Sequence, residues 1–93
     1  MKFAFIIMGD FDAEADQASI HGGGARIAGV SSLPEACTVA ARFCEEGVDC
    51  IELCGAFGPD GAKAVIDAVD NQIPVGYVTH LPEQDEIYRK VFG

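Results

Sequence analysis

Cys54 ends an apolar run and is followed by Gly55-Ala56-Phe57-Gly58, with Pro59-Asp60 opening a helical pattern. A thiol so placed can serve as a nucleophile when a helix N-terminus or a neighbouring histidine stabilises its thiolate. The backbone amides of a glycine loop ahead of a helix can hold a phosphate or carboxylate. The loop has neither the lysine and spacing of a Walker loop nor a G-x-G-x-x-G dinucleotide fingerprint, so it names no nucleotide. Glu52, two residues earlier, is the only acid between Cys50 and Cys54. A carboxylate in a buried run must face water, meet a base or titrate high. Arg26 on a neighbouring strand is the natural partner, which leaves a structural Glu52–Arg26 pair and a catalytic acid as the two readings.

His80 follows the apolar run Val75 to Thr79 and occupies the same strand end as Cys54. A histidine there can contact a ligand, exchange protons or make a structural hydrogen bond. His21 opens His21-Gly22-Gly23-Gly24, a string similar to the oxyanion glycines of some esterases, but no G-x-S-x-G elbow accompanies it. Asp10, Asp12, Glu14 and Asp16 alternate like the start of a calcium loop, yet Ala15 and His21 stand where glycine and glutamate are needed, leaving a solvated acidic loop. His21 and His80 with Asp10 or Cys54 are acceptable donor types for zinc or iron. No spaced motif joins them, so metal and cofactor stay unspecified.

Positioning these residues requires strands and helices in alternation. Lys2 to Met8 reads as a strand, apolar without a break from Phe3 on, with Arg26 to Val30 a weaker strand, Val48 to Cys54 a third and Val75 to Thr79 a fourth. Ser32-Leu33-Pro34-Glu35 has capping-box spacing. It starts a helix whose buried stripe is Leu33, Ala36, Cys37, Ala40, Phe43 and Cys44, ending at Gly47. A second helix runs from Pro59 to near Asn71 on Ala62, Val65, Ile66 and Val69. A third begins at Leu81-Pro82-Glu83, with Ile87, Tyr88, Val91 and Phe92 as its inner face. The fold class is α/β: a small, mostly parallel four-stranded sheet with three helices, a βαβαβα core preceded by a strand, half-barrel-like or flavodoxin-like. Residues 1–93 read as one α/β domain.

Parallel strands put the loops after their C-termini on one rim, where ligands bind. That rim gathers Asp10, Cys54, Gly55, Ala56, Phe57, Gly58 and His80, and His21 in the long loop is assigned to it as well. If both crossovers advance the same way, right-handedness puts both helices on one face and leaves the other bare. A switch of direction would cover both faces thinly. Either arrangement favours a homo-oligomer.

The formal charge of −9, from fifteen acids and six bases, repels nucleic acid and anionic membranes. The longest apolar run is far short of the roughly 20 residues a spanning helix needs. Cys37 and Cys44, about 10 Å apart along a helix, cannot bridge. Cys50 and Cys54, about 13 Å apart along a strand, cannot either. Unbridged thiols without C-x-x-C spacing fit a cytoplasmic protein with small apolar core cysteines.

Met8-Gly9-Asp10, His21-Gly22-Gly23, Glu52 to Gly58 and Gly76-Tyr77-Val78-Thr79-His80-Leu81-Pro82 together resemble a family of short, uncharacterised prokaryotic proteins, a domain of unknown function. The similarity spans nearly the whole chain, with a third glycine at Gly24 as a small departure. The resemblance implies no activity and no catalytic residues; it implies that the recurrent segments form a site. The resulting expectation is a cytoplasmic oligomeric module that binds a small, anionic metabolite at the rim. The alternatives are a small enzyme using Cys54 or His80, with Glu52 and a metal as further candidates, and a protein-interaction module.

Overall fold

The computed structural model describes all 93 residues. The chain runs through β1 (Phe3–Met8), β2 (Gln17–Ile20), β3 (Ala25–Val30), α1 (Leu33–Glu45), β4 (Cys50–Leu53), α2 (Gly58–Ala68), β5 (Val75–Tyr77) and α3 (Asp85–Phe92). The sheet order is β2-β3-β1-β4-β5; β3, β1, β4 and β5 are parallel, and β2 pairs antiparallel to β3 at the edge. The expected four strands are therefore five. β2 escaped the hydrophobic pattern because it is four residues long and exposed throughout, held by its pairing of Ala18 with Ile27 and Ile20 with Ala25.

The four parallel strands follow the order β3-β1-β4-β5, but β1 reaches β3 through the acidic loop and β2 instead of through a helix. The two helical crossovers, β3 to β4 and β4 to β5, both advance the same way. Right-handed crossovers of that kind place their helices on one face. Alternate strand residues Ala4, Ile6, Ala28, Val30, Ile51 and Leu53 form one core with Ala36, Val39, Ala40 and Phe43 of α1 and Ala62 and Val65 of α2. The flavodoxin-like alternative, with helices on both faces, is thereby corrected.

Local chemistry explains the helix bounds. Ser32 Oγ accepts the Glu35 N–H at 3.3 Å, as the capping spacing predicts, while Glu35 Oε1 reaches one residue further back to the Ser31 N–H at 2.8 Å. The Asp12 carboxylate accepts the Glu14 and Ala15 amides, which holds its pKa below the usual carboxylate value and makes the acidic loop a self-capped turn. The turn between β2 and β3 needs left-handed backbone at three successive residues, His21 (φ 53°), Gly22 (60°) and Gly23 (93°). Two glycines there relieve the strain a side chain would add.

α3 departs from its expected packing. None of its residues is buried, and it projects from the body of the fold, whose radius of gyration of 13.4 Å exceeds the roughly 12 Å of a compact chain this long. Its sheetward side is Asp85, Tyr88, Arg89 and Phe92, spaced at three and four residues. Ile87 and Val91, assigned from the sequence to the inner face, are 54% and 69% exposed.

Candidate functional site

The C-terminal ends of β1, β4 and β5 open into a cleft of about 1020 Å³ whose far wall is α3. Cys54, Gly55 and Ala56 come from the loop after β4, Thr79 and His80 from the segment after β5, and Asp85, Tyr88, Arg89 and Phe92 from α3. Three separate stretches of sequence meet because parallel strands deliver their outgoing loops to one rim. The volume matches the upper end of the range for small-molecule sites, about 300–1,000 Å³.

His80 is fixed from two sides. Its Nε2 lies 2.7 Å from Asp85 Oδ1, and its ring stacks on Tyr88 with centroids 3.8 Å apart and planes 11° apart. An ionised carboxylate can only accept, so Nε2 donates in this pair and Nδ1 remains for another partner. Tyr88 in turn stacks on Phe92 at 5.5 Å, extending a three-ring column along the α3 wall. The column gives an otherwise loosely held helix its attachment to the rim, as stacked pairs add about 0.5–1.5 kcal/mol beyond burial. His80 thus makes the structural hydrogen bond weighed from the sequence and also lines the cleft.

Cys54 is half-buried, and its Sγ accepts the Met8 N–H at 3.3 Å, tying the thiol to the end of β1. The Cys54 amide donates to Ile6 O and the Phe57 amide to Cys54 O, whereas the Gly55 and Ala56 amides donate to nothing in the chain. Only Arg26–Glu46 and His80–Asp85 form ion pairs, so Arg89, which lines the cleft, has no carboxylate partner. Asp85, Tyr88 and Arg89 do not stand out as site residues, because the sequence marks them only as a helix's dipole-matching charges and apolar stripe. The signal available was the i, i+3, i+4 spacing of polar and aromatic residues beside His80.

Other sequence candidates lie elsewhere. Phe57 is 6% exposed and packs in the core beneath α2; Gly58, with φ 61°, completes the turn, and neither lines the cleft. Asp10 is exposed beyond β1 and also outside the cleft. His21 occupies the β2–β3 turn, which leads into the start of β3, so it sits at the opposite end of the sheet from Cys54 and His80. The expectation that it joins the rim fails because the long loop hides a strand that carries the chain back down the sheet. No group of three histidine, cysteine, aspartate or glutamate side chains could hold a metal ion.

Glu52 and Arg26 do not meet. Arg26 points to the helix side, where Nη1 pairs with Glu46 Oε1 at 2.7 Å and the guanidinium lies 4.4 Å over the Phe43 ring. Glu52 alternates onto the opposite face, level with Phe5 and Gly76, and its carboxylate lies against Gly76, where a Cβ would come within 2.9 Å of Oε2. Burial raises the Cys37 thiol pKa, helped by Asp67; burial also raises that of Cys50, helped by Glu52 and Asp49. Cys37 and Cys44 pack against the core and Cys50 is buried, as expected of small apolar residues.

Residues 1–93 match a family of unknown function, DUF6506, and the chain belongs to it. No curated protein and no solved structure matches.

Proposed function

We propose that this member of the DUF6506 family binds a small anionic metabolite in the cleft between the β4–α2 loop and α3. The observation that carries the reading is the convergence of donors without partners: the Gly55 and Ala56 amides and the Arg89 guanidinium line one cavity of ligand size. Carboxylate and phosphate oxygens are the acceptors that such a set fits, and an arginine engages them bidentately. Local donors are needed because a net charge of −9 repels an anion at long range. His80 Nδ1 and the face of the aromatic column supply orientation. Four free cysteines agree with a reducing compartment and so with a cytoplasmic protein.

A thermal-shift panel of inorganic phosphate, phosphate monoesters and mono- and dicarboxylates tests the proposal. An anion at ten times its Kd stabilises by about 1.4 kcal/mol, raising Tm by roughly 6–11 °C in a chain this size. Arg89→Gln should lose most of that response. A panel that moves Tm nowhere, or moves it equally in Arg89→Gln, defeats the assignment.

A second reading, a cysteine-based enzyme, draws on Cys54 and His80 sharing the cleft, with Asp85 orienting the imidazole. Alkylation by iodoacetamide distinguishes the two: rapid modification of Cys54 at neutral pH, slowed in His80→Gln, favours catalysis, and an inert thiol favours binding alone.

A further inference from the structure

The sheet face opposite the helices carries a patch that no part of the chain covers. β1 contributes Phe3 and Phe5, β3 contributes Ile27, and β2 contributes Ile20, which is 71% exposed. Phe11 from the acidic loop lies over Gly29, where an added Cβ would lie 2.6 Å from its ring. We propose that this face is the docking surface for a second copy of the same chain, related by a two-fold axis.

Two observations select that occupant. The patch is self-complementary. A groove of about 220 Å³ runs over Ala18 and Ala25 between Ile20 and the Phe3–Phe5 ridge, so the ridge of one copy can enter the groove of the other, as an isologous contact requires. Finally, two chains of charge −9 repel wherever their acids meet, and Glu52 is the only acid that β1, β3, β4 and β5 present on this face.

Sedimentation velocity of the full chain across a concentration series tests the interface. The wild type should be dimeric at micromolar concentration. Ile20→Lys with Ile27→Lys should raise the dimer Kd at least about a hundredfold, since charges buried twice across a two-fold axis cost several factors of ten. Lysine reduces the net charge, so general repulsion cannot explain the dissociation. Ile87→Lys with Val91→Lys on the outer side of α3 should leave the dimer intact. Hydroxyl-radical oxidation of wild-type Phe3 and Phe5 should speed up on dilution through the Kd, a readout independent of any variant's folding. A wild type that stays monomeric, a dimer insensitive to the Ile20 and Ile27 changes, or one dissolved by the α3 changes overturns the proposal, the first leaving the face to a different protein.

Discussion

The two faces of the sheet are made from the same strands and differ only in which alternate residues they show. On the helix side Ala4, Ile6, Ala28, Val30, Ile51 and Leu53 are fully buried. One residue along on the same strands, Phe3, Phe5, Ile27 and Glu52 keep partial contact with water. Both sets are largely apolar, which is the pattern of strands meant to be covered twice. The missing cover follows from the β1-to-β3 connection, which uses an edge strand where a crossover helix would have supplied a second layer. A sheet in a chain of 93 residues can thus be half finished by its own sequence.

Truncation should separate the faces most strongly. Leu53→Ala or Ile6→Ala removes a fully buried side chain and should cost about 2–5 kcal/mol. Ile27→Ala, at 41% exposure, should cost under about 1 kcal/mol in dilute urea titrations. The gap should narrow as protein concentration rises if a second copy covers Ile27. Equal costs at high dilution would mean that the open face is already packed in the monomer.

Phe11 leans on the open face from outside the sheet, and Gly29 is what admits it. Gly29→Ala puts a Cβ 2.6 Å from Phe11 Cγ and 2.9 Å from its Cβ, too near the backbone to be relieved by a small rotation. The expected loss is about 1–3 kcal/mol. In a double-mutant cycle with Phe11→Ala the two changes should be strongly non-additive. Additive losses would show that Gly29 answers to some other constraint.

Arg26 and Glu52 offer a smaller contrast. Arg26→Ala loses a partly exposed ion pair with Glu46 and the contact over Phe43, together about 1 kcal/mol. Glu52→Gln touches no hydrogen bond or ion pair and should stay within about 0.5 kcal/mol. A Glu52→Gln loss exceeding that of Arg26→Ala would reveal a partner for Glu52 that the single chain does not supply.

The same period-2 rule explains what the sequence could and could not tell. The strand runs, the capped start of α1, the α2 stripe and the convergence of Cys54, Gly55, Ala56 and His80 on one rim all follow from local pattern plus parallel topology. The expected Arg26–Glu52 pair fails because opposite charges on nearby strands say nothing about face until register is known. Phe3 pairs with both Ala25 and Cys50, and that register puts Arg26 beside Ala4 with the helices and Glu52 beside Phe5 on the open side. β2 does not stand out because its polar–apolar alternation, Gln17-Ala18-Ser19-Ile20, lasts only four residues. The α3 wall is not legible for a related reason: a helix with apolar residues on two sides has two candidate inner faces, and only the His80–Tyr88 stack decides between them.

The smallest expected effect is a pH dependence that carries the same comparison into alkaline solution. Cys37 faces α2, its Sγ 3.7 Å from Ala64 O, while Cys50 lies on the open side of β4; both thiols are held above the ordinary 9.0 mainly by burial. A folded chain with raised thiol pKa values retains protons that the unfolded chain has released, so stability falls with rising pH. The contribution is complete below pH 9.0 and disappears as pH climbs through the raised folded values. Urea midpoints between pH 8 and pH 10.5 should therefore decline less steeply in Cys37→Ala and in Cys50→Ala than in the wild type. The Cys37 share should not depend on protein concentration, because its surroundings are α1 and α2 of the same chain. The Cys50 share should not depend on it either, because Cys50 is already buried within one chain.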